Sequence, residues 1–262
     1  TSHARAVALV AIFVALATGA PLQAQTQEID ALRARAEQGY AAALNNLGVM
    51  YAGGRGVPQD DAQAVGWYRL AAEQGYAAAL NNLGVMYDGG RGVPQDDAAA
   101  VRWYRLAAEQ GYAAALNNLG VMYAGGRGVP QDDAEAVRWY RLAAEQGYAA
   151  ALNNLGIMYA GGRGVPQDDA EAVHWYRLAA DQGVGIAQYN LGSMYAAGRG
   201  VPLDYVLAHM WFNLAASRLT GDRRETGVEN RDRAARQMTP AQIADAQRLA
   251  LEWAAAHPRE PH

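Results

Sequence analysis

Apolar residues in this chain recur with the period of a helix, and the helices themselves recur. Across residues 41–52 (AAALNNLGVMYA), Ala43, Leu44, Leu47 and Tyr51 fall on the i, i+4, i+8 rows of one face. Gly53-Gly54-Arg55-Gly56-Val57-Pro58 stops this helix, because glycine supplies a left-handed cap and proline prevents continuation. A second helix starts at Asp60 or Asp61, where a carboxylate suits both the N-cap and the helix dipole. It runs toward Gln74 with Ala64, Trp67, Tyr68, Ala71 and Ala72 inward, and Gly75 ends it. Gly48, inside the first helix, costs roughly 1 kcal/mol against alanine and so predicts close approach of a neighbouring helix.

This hairpin, from Tyr40 to Gly75, returns almost unchanged from Tyr76, Tyr112 and Tyr148, and in diverged form from Val184. Each start lies 36 residues after the last, which brings Trp67, Trp103, Trp139, Trp175 and Trp211 into register. A fixed period of this size predicts a solenoid of stacked helical hairpins. Helices this short persist only when packed. The expected units are 40–75, 76–111, 112–147, 148–183 and 184–219.

The ends of the array read differently. Residues 26–39 form a capping helix, since 28–38 resemble the end of the repeat's second helix and cover an otherwise open face. Beyond the repeats, 220–262 is a helical extension and tail. Within it, 220–226 (TGDRRET) reads as a polar loop and Val228–Gln237 as a short charged helix. Thr239-Pro240-Ala241-Gln242 starts a last helix with an N-cap, a first-position proline and a capping-box glutamine. Ile243, Ala246, Ala250 and Trp253 share one of its faces and are expected to seal the stack.

Residues 1–25 read as a signal peptide. Arg5 precedes the uncharged stretch Ala6–Ala20, Pro21 breaks it, and Leu22-Gln23-Ala24 offers a cleavage site before Gln25. The apolar stretch is shorter than the ~20 residues a membrane-spanning helix needs. A periplasmic or secreted location follows, with no membrane span after cleavage. The chain has no cysteine, so its core is held by packing alone. All 22 basic residues are arginine and the net charge is −4, without a basic block, so nucleic acid is not an expected partner.

Leu47-Gly48-x-x-Tyr51 followed by Ala64-x-x-x-Tyr68 resembles the tetratricopeptide pattern. The GGRGVPQDD loop and the AAEQG-x-A ending narrow this to Sel1-like repeats over residues 40–219. The resemblance implies an all-α, right-handed α/α superhelical solenoid that mediates protein–protein interaction, often in exported bacterial proteins. A cysteine-rich branch of such proteins has been linked to penicillin binding and β-lactamase activity. That branch carries a disulfide in each repeat, and this chain has none to offer.

Candidate chemistry lies in ladders of repeated residues. By analogy with tetratricopeptide stacks, the outer face of each first helix lines a concave groove. That places Asn45, Asn81, Asn117 and Asn153 there, where carboxamides can donate to and accept from a peptide backbone. Val49, Val85, Val121 and Ile157 supply apolar contacts, and Tyr189 replaces the first asparagine in the fifth unit. The first asparagine of each pair is favoured over the second as the ligand contact. Arg55, Arg91, Arg127, Arg163 and Arg199 form a loop-edge ladder expected to pair with the aspartates that follow the loops. On the second helix, Gln63, Ala99, Glu135 and Glu171 vary, as do Gly66, Arg102, Arg138 and His174, marking an outward stripe.

No catalytic constellation emerges. There is no lysine for an SxxK or P-loop signature, and the five histidines show no metal spacing. No metal or cofactor is expected. The chain therefore reads as an exported monomeric adaptor without catalysis that holds a protein or peptide in its groove. The alternative is a binder or hydrolase of cell-wall fragments or β-lactams.

Overall fold

The computed structural model describes residues 22–258, and these form thirteen helices and no strand. The stretch expected to be the body of the signal peptide, up to Pro21, lies outside the described residues. The helices are α1 (Leu22–Glu37), α2 (Ala41–Gly53), α3 (Asp61–Ala72), α4 (Ala77–Gly89), α5 (Asp97–Ala108), α6 (Ala113–Gly125), α7 (Asp133–Ala144), α8 (Ala149–Gly161), α9 (Asp169–Asp181), α10 (Gly185–Ala197), α11 (Tyr205–Arg218), α12 (Gly221–Ala235) and α13 (Pro240–Ala256). Two compact units divide the chain within the third repeat. One holds α1–α5 with α6 up to Met122 and the loop Gly126–Pro130, and the other holds Tyr123–Gly125 and residues from Gln131 onward.

In the first unit, α1 puts Ile29, Leu32 and Ala36 against Leu44, Leu47 and Met50 of α2. These α1 positions follow the i, i+3, i+7 spacing of a one-sided helix, so α1 packs one face on the first hairpin. Hairpins α2–α3 and α4–α5 then repeat one construction. Gly48 and Gly84 sit where an added Cβ would collide with the rings of Tyr68 and Tyr104. The mid-helix glycine is thus a seat for the tyrosine of the same hairpin. Gly156 gives Tyr176 the same seat in the second unit.

The two aspartates of each Asp-Asp pair divide the work. Asp60, Asp96, Asp132 and Asp168 are the N-caps, accepting from backbone N–H groups two or three residues on. The second aspartate begins the helix proper and is left for other partners. At the other helix end, Gly54, Gly90, Gly162 and Gly198 take the left-handed C-cap conformation.

Three expectations need correction. Trp67, Trp103, Trp139 and Trp175 are only half-buried at the edge of the core, and Val65, Val101, Val137 and Val173 hold the fully interior position instead. Trp211 alone of the series is buried. The second helices end near Ala72, with Glu73 as C-cap, rather than at Gln74. The polar stretch 220–226 is not a loop but the first turns of α12. Its side chains are exposed on every side, so a helix forms there without an apolar stripe to announce it.

At the C-terminal end of the second unit, α13 packs on α11. The Thr239–Gln242 capping box is present. Ala246 and Ala250 are buried, and Trp253 of α13 meets Trp211 of α11 edge-on at 5.8 Å. The Arg218 guanidinium lies over the Trp253 ring, and His257 stacks on it at 4.2 Å.

Candidate functional site

Within each unit neighbouring repeats are joined by four polar ladders, and these decide which side chains remain for a ligand. The first is made by the asparagine pairs. Asn82 Nδ2 donates to Asn45 Oδ1 at 3.0 Å, Asn118 Nδ2 to Asn81 Oδ1 at 3.1 Å, and Asn190 Nδ2 to Asn153 Oδ1 at 3.1 Å. Asn45, Asn81, Asn117 and Asn153 are each only 6% exposed, whereas the second asparagine of each pair is half-buried. The residue favoured from sequence as the ligand contact is the inner member of a carboxamide chain. That also resolves why a poor helix former recurs mid-helix: a buried carboxamide is stable only with partners, and the next repeat supplies one.

Tyr189, at the fifth-repeat position of this series, keeps the ladder going with a different group. Its hydroxyl accepts from Asn230 Nδ2 of α12 at 2.8 Å, and its ring lies 5.5 Å from Phe212. α12 is therefore engaged by the same rung that a further repeat would use.

The second ladder is ionic. Arg91 donates through Nε and Nη2 to both carboxylate oxygens of Asp61 and through Nη2 to the Ala52 carbonyl at 2.7 Å. Arg163 does the same to Asp133 and Ala124, and Arg199 to Asp169 and Ala160. One guanidinium thus satisfies the C-terminal carbonyl of the preceding first helix and the carboxylate at the start of the preceding second helix. The expected Arg–Asp pairing is present, and it runs between repeats. Arg127 departs from the pattern and pairs with Asp88, which replaces the alanine found at this position in other repeats. Asp169 is held below the usual carboxylate range by Arg199, and Arg91, Arg163 and Arg199 are raised by their aspartates. Arg55 is exposed and makes no ion pair among the described residues.

The remaining ladders use a glutamine and a second arginine. Gln74, Gln110 and Gln182 donate to the carbonyls of Gly39, Gly75 and Gly147. Arg69, Arg141 and Arg177 donate to the hydroxyls of Tyr87, Tyr159 and Tyr195. These contacts absorb residues that the sequence alone leaves unassigned.

What stays available on the first helices is apolar and regular. Val85 is 40% and Ile157 39% exposed, while Val49 and Val121 are half-buried at the same register. Ala42 and Ala52 flank Val49 and are also half-buried. On the second helices, Leu70, Leu106, Leu142 and Leu178 are exposed beside the half-buried tryptophans, a stripe the sequence reading did not pick out. Arg138 pairs with Glu135 at 2.9 Å on this face.

Burial pushes the Tyr68, Tyr140 and Tyr176 hydroxyls up to about 12, and Tyr104 further, so they stay neutral near pH 7. The His209 pKa is lowered, first by burial and then by Arg231. Among the described residues no group of three His, Cys, Asp or Glu could hold a metal. No described helix is long and apolar enough to cross a membrane.

The Sel1 repeat family is matched five times, over residues 41–76, 77–112, 113–148, 149–184 and 185–218. A Sel1 repeat protein from Oxalobacter formigenes is 37% identical, covers 76% of this chain and 82% of its own, and superposes with a TM-score of 0.66. A putative Sel1 repeat protein from Klebsiella pneumoniae, 24% identical, covers 79% of this chain and 99% of its own with a TM-score of 0.54. An immunity protein from Pseudomonas aeruginosa, 23% identical over 85% of this chain and 78% of its own, shares the fold with a TM-score of 0.52. No curated protein matches.

Proposed function

The chain belongs to the Sel1 repeat family, whose members are generally non-catalytic and typically mediate protein–protein contact, and on that premise we propose that it is a scaffold holding an extended segment of another protein along its first helices. The observation that carries this reading is a repeated apolar surface on hairpins that polar ladders join within each unit. Val49, Val85, Val121 and Ile157 recur at one register, each beside asparagines already fixed by the ladder. A surface ordered before binding loses little conformational entropy when a partner docks, so weak contacts repeated unit by unit add up. The half-buried second asparagines, one helical turn before these apolar positions, supply specificity.

The proposed setting is outside the cytoplasm. Arg5, the uncharged stretch Ala6–Ala20 and the small residues before Gln25 support export. N-terminal sequencing of protein from the producing cell, with Gln25 as the first residue found, supports export. Recovery of the intact segment in the cytoplasm refutes it.

The binding role is tested by cross-linked capture from the producing cell, using wild type beside Val85→Arg/Ile157→Arg. Both positions are exposed, so the variant keeps its core. A protein captured by wild type and lost by the variant supports the first-helix surface. Equal capture by both overturns it.

A further inference from the structure

At the end of the array the fifth repeat departs from the others, and its departures converge on one cavity. The cavity has a volume of about 360 Å³ and lies between α10, α11 and α12. Ser193, Ala196 and Tyr205 line it, together with Phe212 on its floor and Arg233 and Asn230 from α12. Read by the 36-residue register, Ser193 stands where the second repeat has Val85, Ala196 where it has Asp88, Tyr205 where it has Asp97 and Phe212 where it has Tyr104.

The second repeat shows one way in which this space is filled. In the first unit the loop after α6 enters here: Arg127 pairs with Asp88, and Gly128 lies against the Asp97 backbone so closely that a Cβ would collide with it. After the fifth repeat α12 stands in register with α6, but the segment that follows it, residues 236–239, is short and lacks the GGRGVP sequence. The aspartate that every earlier repeat carries at the Asp97 position has become Tyr205, and Ala196 keeps the alanine of the first, third and fourth repeats, so neither position carries a carboxylate. A guanidinium is nevertheless delivered again, by Arg233. Arg231 pairs with Asp232 at 2.7 Å, whereas Arg233 is exposed and has no carboxylate partner among the described residues.

We propose that this cavity binds a small organic carboxylate with a compact aliphatic body. The carboxylate takes the place that Asp88 fills in the second repeat and meets Arg233, where a planar guanidinium suits bidentate pairing. The aliphatic body fills the space over Phe212, Ala196 and Ala234. The volume sits at the small end of ligand sites, which fits a single residue-sized acid rather than a long chain. Asn230 is pinned by its bond to the Tyr189 hydroxyl, so the α12 wall is in place before a ligand arrives.

The test uses the full chain and N-acetyl-L-leucine, with N-acetyl-L-leucinamide as the neutral counterpart and a tripeptide ending in leucine as the chain-terminus form. Backbone amide shifts report binding and its location. Saturable shifts around Ser193 and Ala234 with the acid, absent with the amide, support the proposal. Arg233→Gln is expected to weaken the acid at least about tenfold, the scale of one charge-assisted pair. Ala196→Asp returns a carboxylate to the cavity and is expected to abolish binding while leaving the rest of the amide spectrum unchanged. Tighter binding of the tripeptide assigns the site to a polypeptide C-terminus, and equal binding assigns it to a free acid. Equal affinity of acid and amide, unchanged affinity in Arg233→Gln, or no saturable shift with any of the three probes overturns it. These outcomes are independent of the Val85 and Ile157 capture experiment.

Discussion

Asn82 Nδ2 donates to Asn45 Oδ1 at 3.0 Å, which makes one repeat's second asparagine the partner of the previous repeat's first. Because Asn45 is 6% exposed, its carboxamide cannot turn to water when the partner is removed. The Asn81–Asn118 rung has the same geometry, and a double-mutant cycle on Asn81→Ala and Asn118→Ala is expected to show coupling of about 0.5–1.5 kcal/mol. Urea unfolding measures it. Strictly additive losses would mean that the rung contributes nothing between repeats.

The glycine beneath each hairpin tyrosine predicts a reversal of helix propensity. Alanine in place of a mid-helix glycine ordinarily stabilises by roughly 1 kcal/mol. Gly84→Ala is expected instead to destabilise by about 1–3 kcal/mol, because its Cβ enters the Tyr104 ring. Gly192→Ala should cost less, since Phe212 lies 3.0 Å from the corresponding position. Thermal unfolding of the two variants ranks them. A stabilised Gly84→Ala would refute the packing account.

Loop glycines separate into two classes in the same way. Gly92 and Gly111 both have positive φ, 67° and 73°. A Cβ at Gly92 would strike the Asp61 backbone, whereas nothing lies within 4 Å of one at Gly111. Gly111→Ala is expected to cost about 1 kcal/mol, the left-handed penalty alone, and Gly92→Ala clearly more. Equal losses in denaturant midpoint would show that the loop can move away from the preceding repeat.

Buried His209 gives the C-terminal end a pH dependence. Its pKa is lowered in the folded protein, so the unfolded chain takes up its proton first as pH falls. Stability is therefore unaffected well above pH 6.5 and declines from about pH 6.5 down to the lowered folded value, with a slope of at most ~1.4 kcal/mol per pH unit. His209→Val installs the residue that Val65, Val101, Val137 and Val173 provide in the other repeats, and should flatten that slope. Denaturation followed by tryptophan emission between pH 5 and 8 checks it, since Trp211 and Trp253 pack together beside α11. An unchanged slope in the variant would assign the dependence elsewhere.

Most of the architecture was legible because it is written five times. Period, caps and turn residues each act over a few neighbouring positions, so Asp60 as N-cap, Gly54 as C-cap and the Thr239–Gln242 box follow from local chemistry. Gly48 announced a close neighbour through its own unfavourable propensity. α12 was only partly legible, since a helix exposed on every side over its first turns leaves no apolar period to read.

What the sequence could not decide is which of two chemically equal residues meets the next repeat. Asn45 and Asn46 differ by one position and about 100° around the helix, and only packing makes the first inner and the second half-buried. Asp60 and Asp61 likewise split into a cap and a partner for Arg91, 30 residues away. The cavity at Arg233 belongs wholly to this second kind of information. It exists because only a short segment follows α12 where a further repeat would have its long loop, a relation between α10, α11 and α12 that no local rule encodes. Local hydrogen bonding set the elements, and the stacking of one element on the next assigned the side chains.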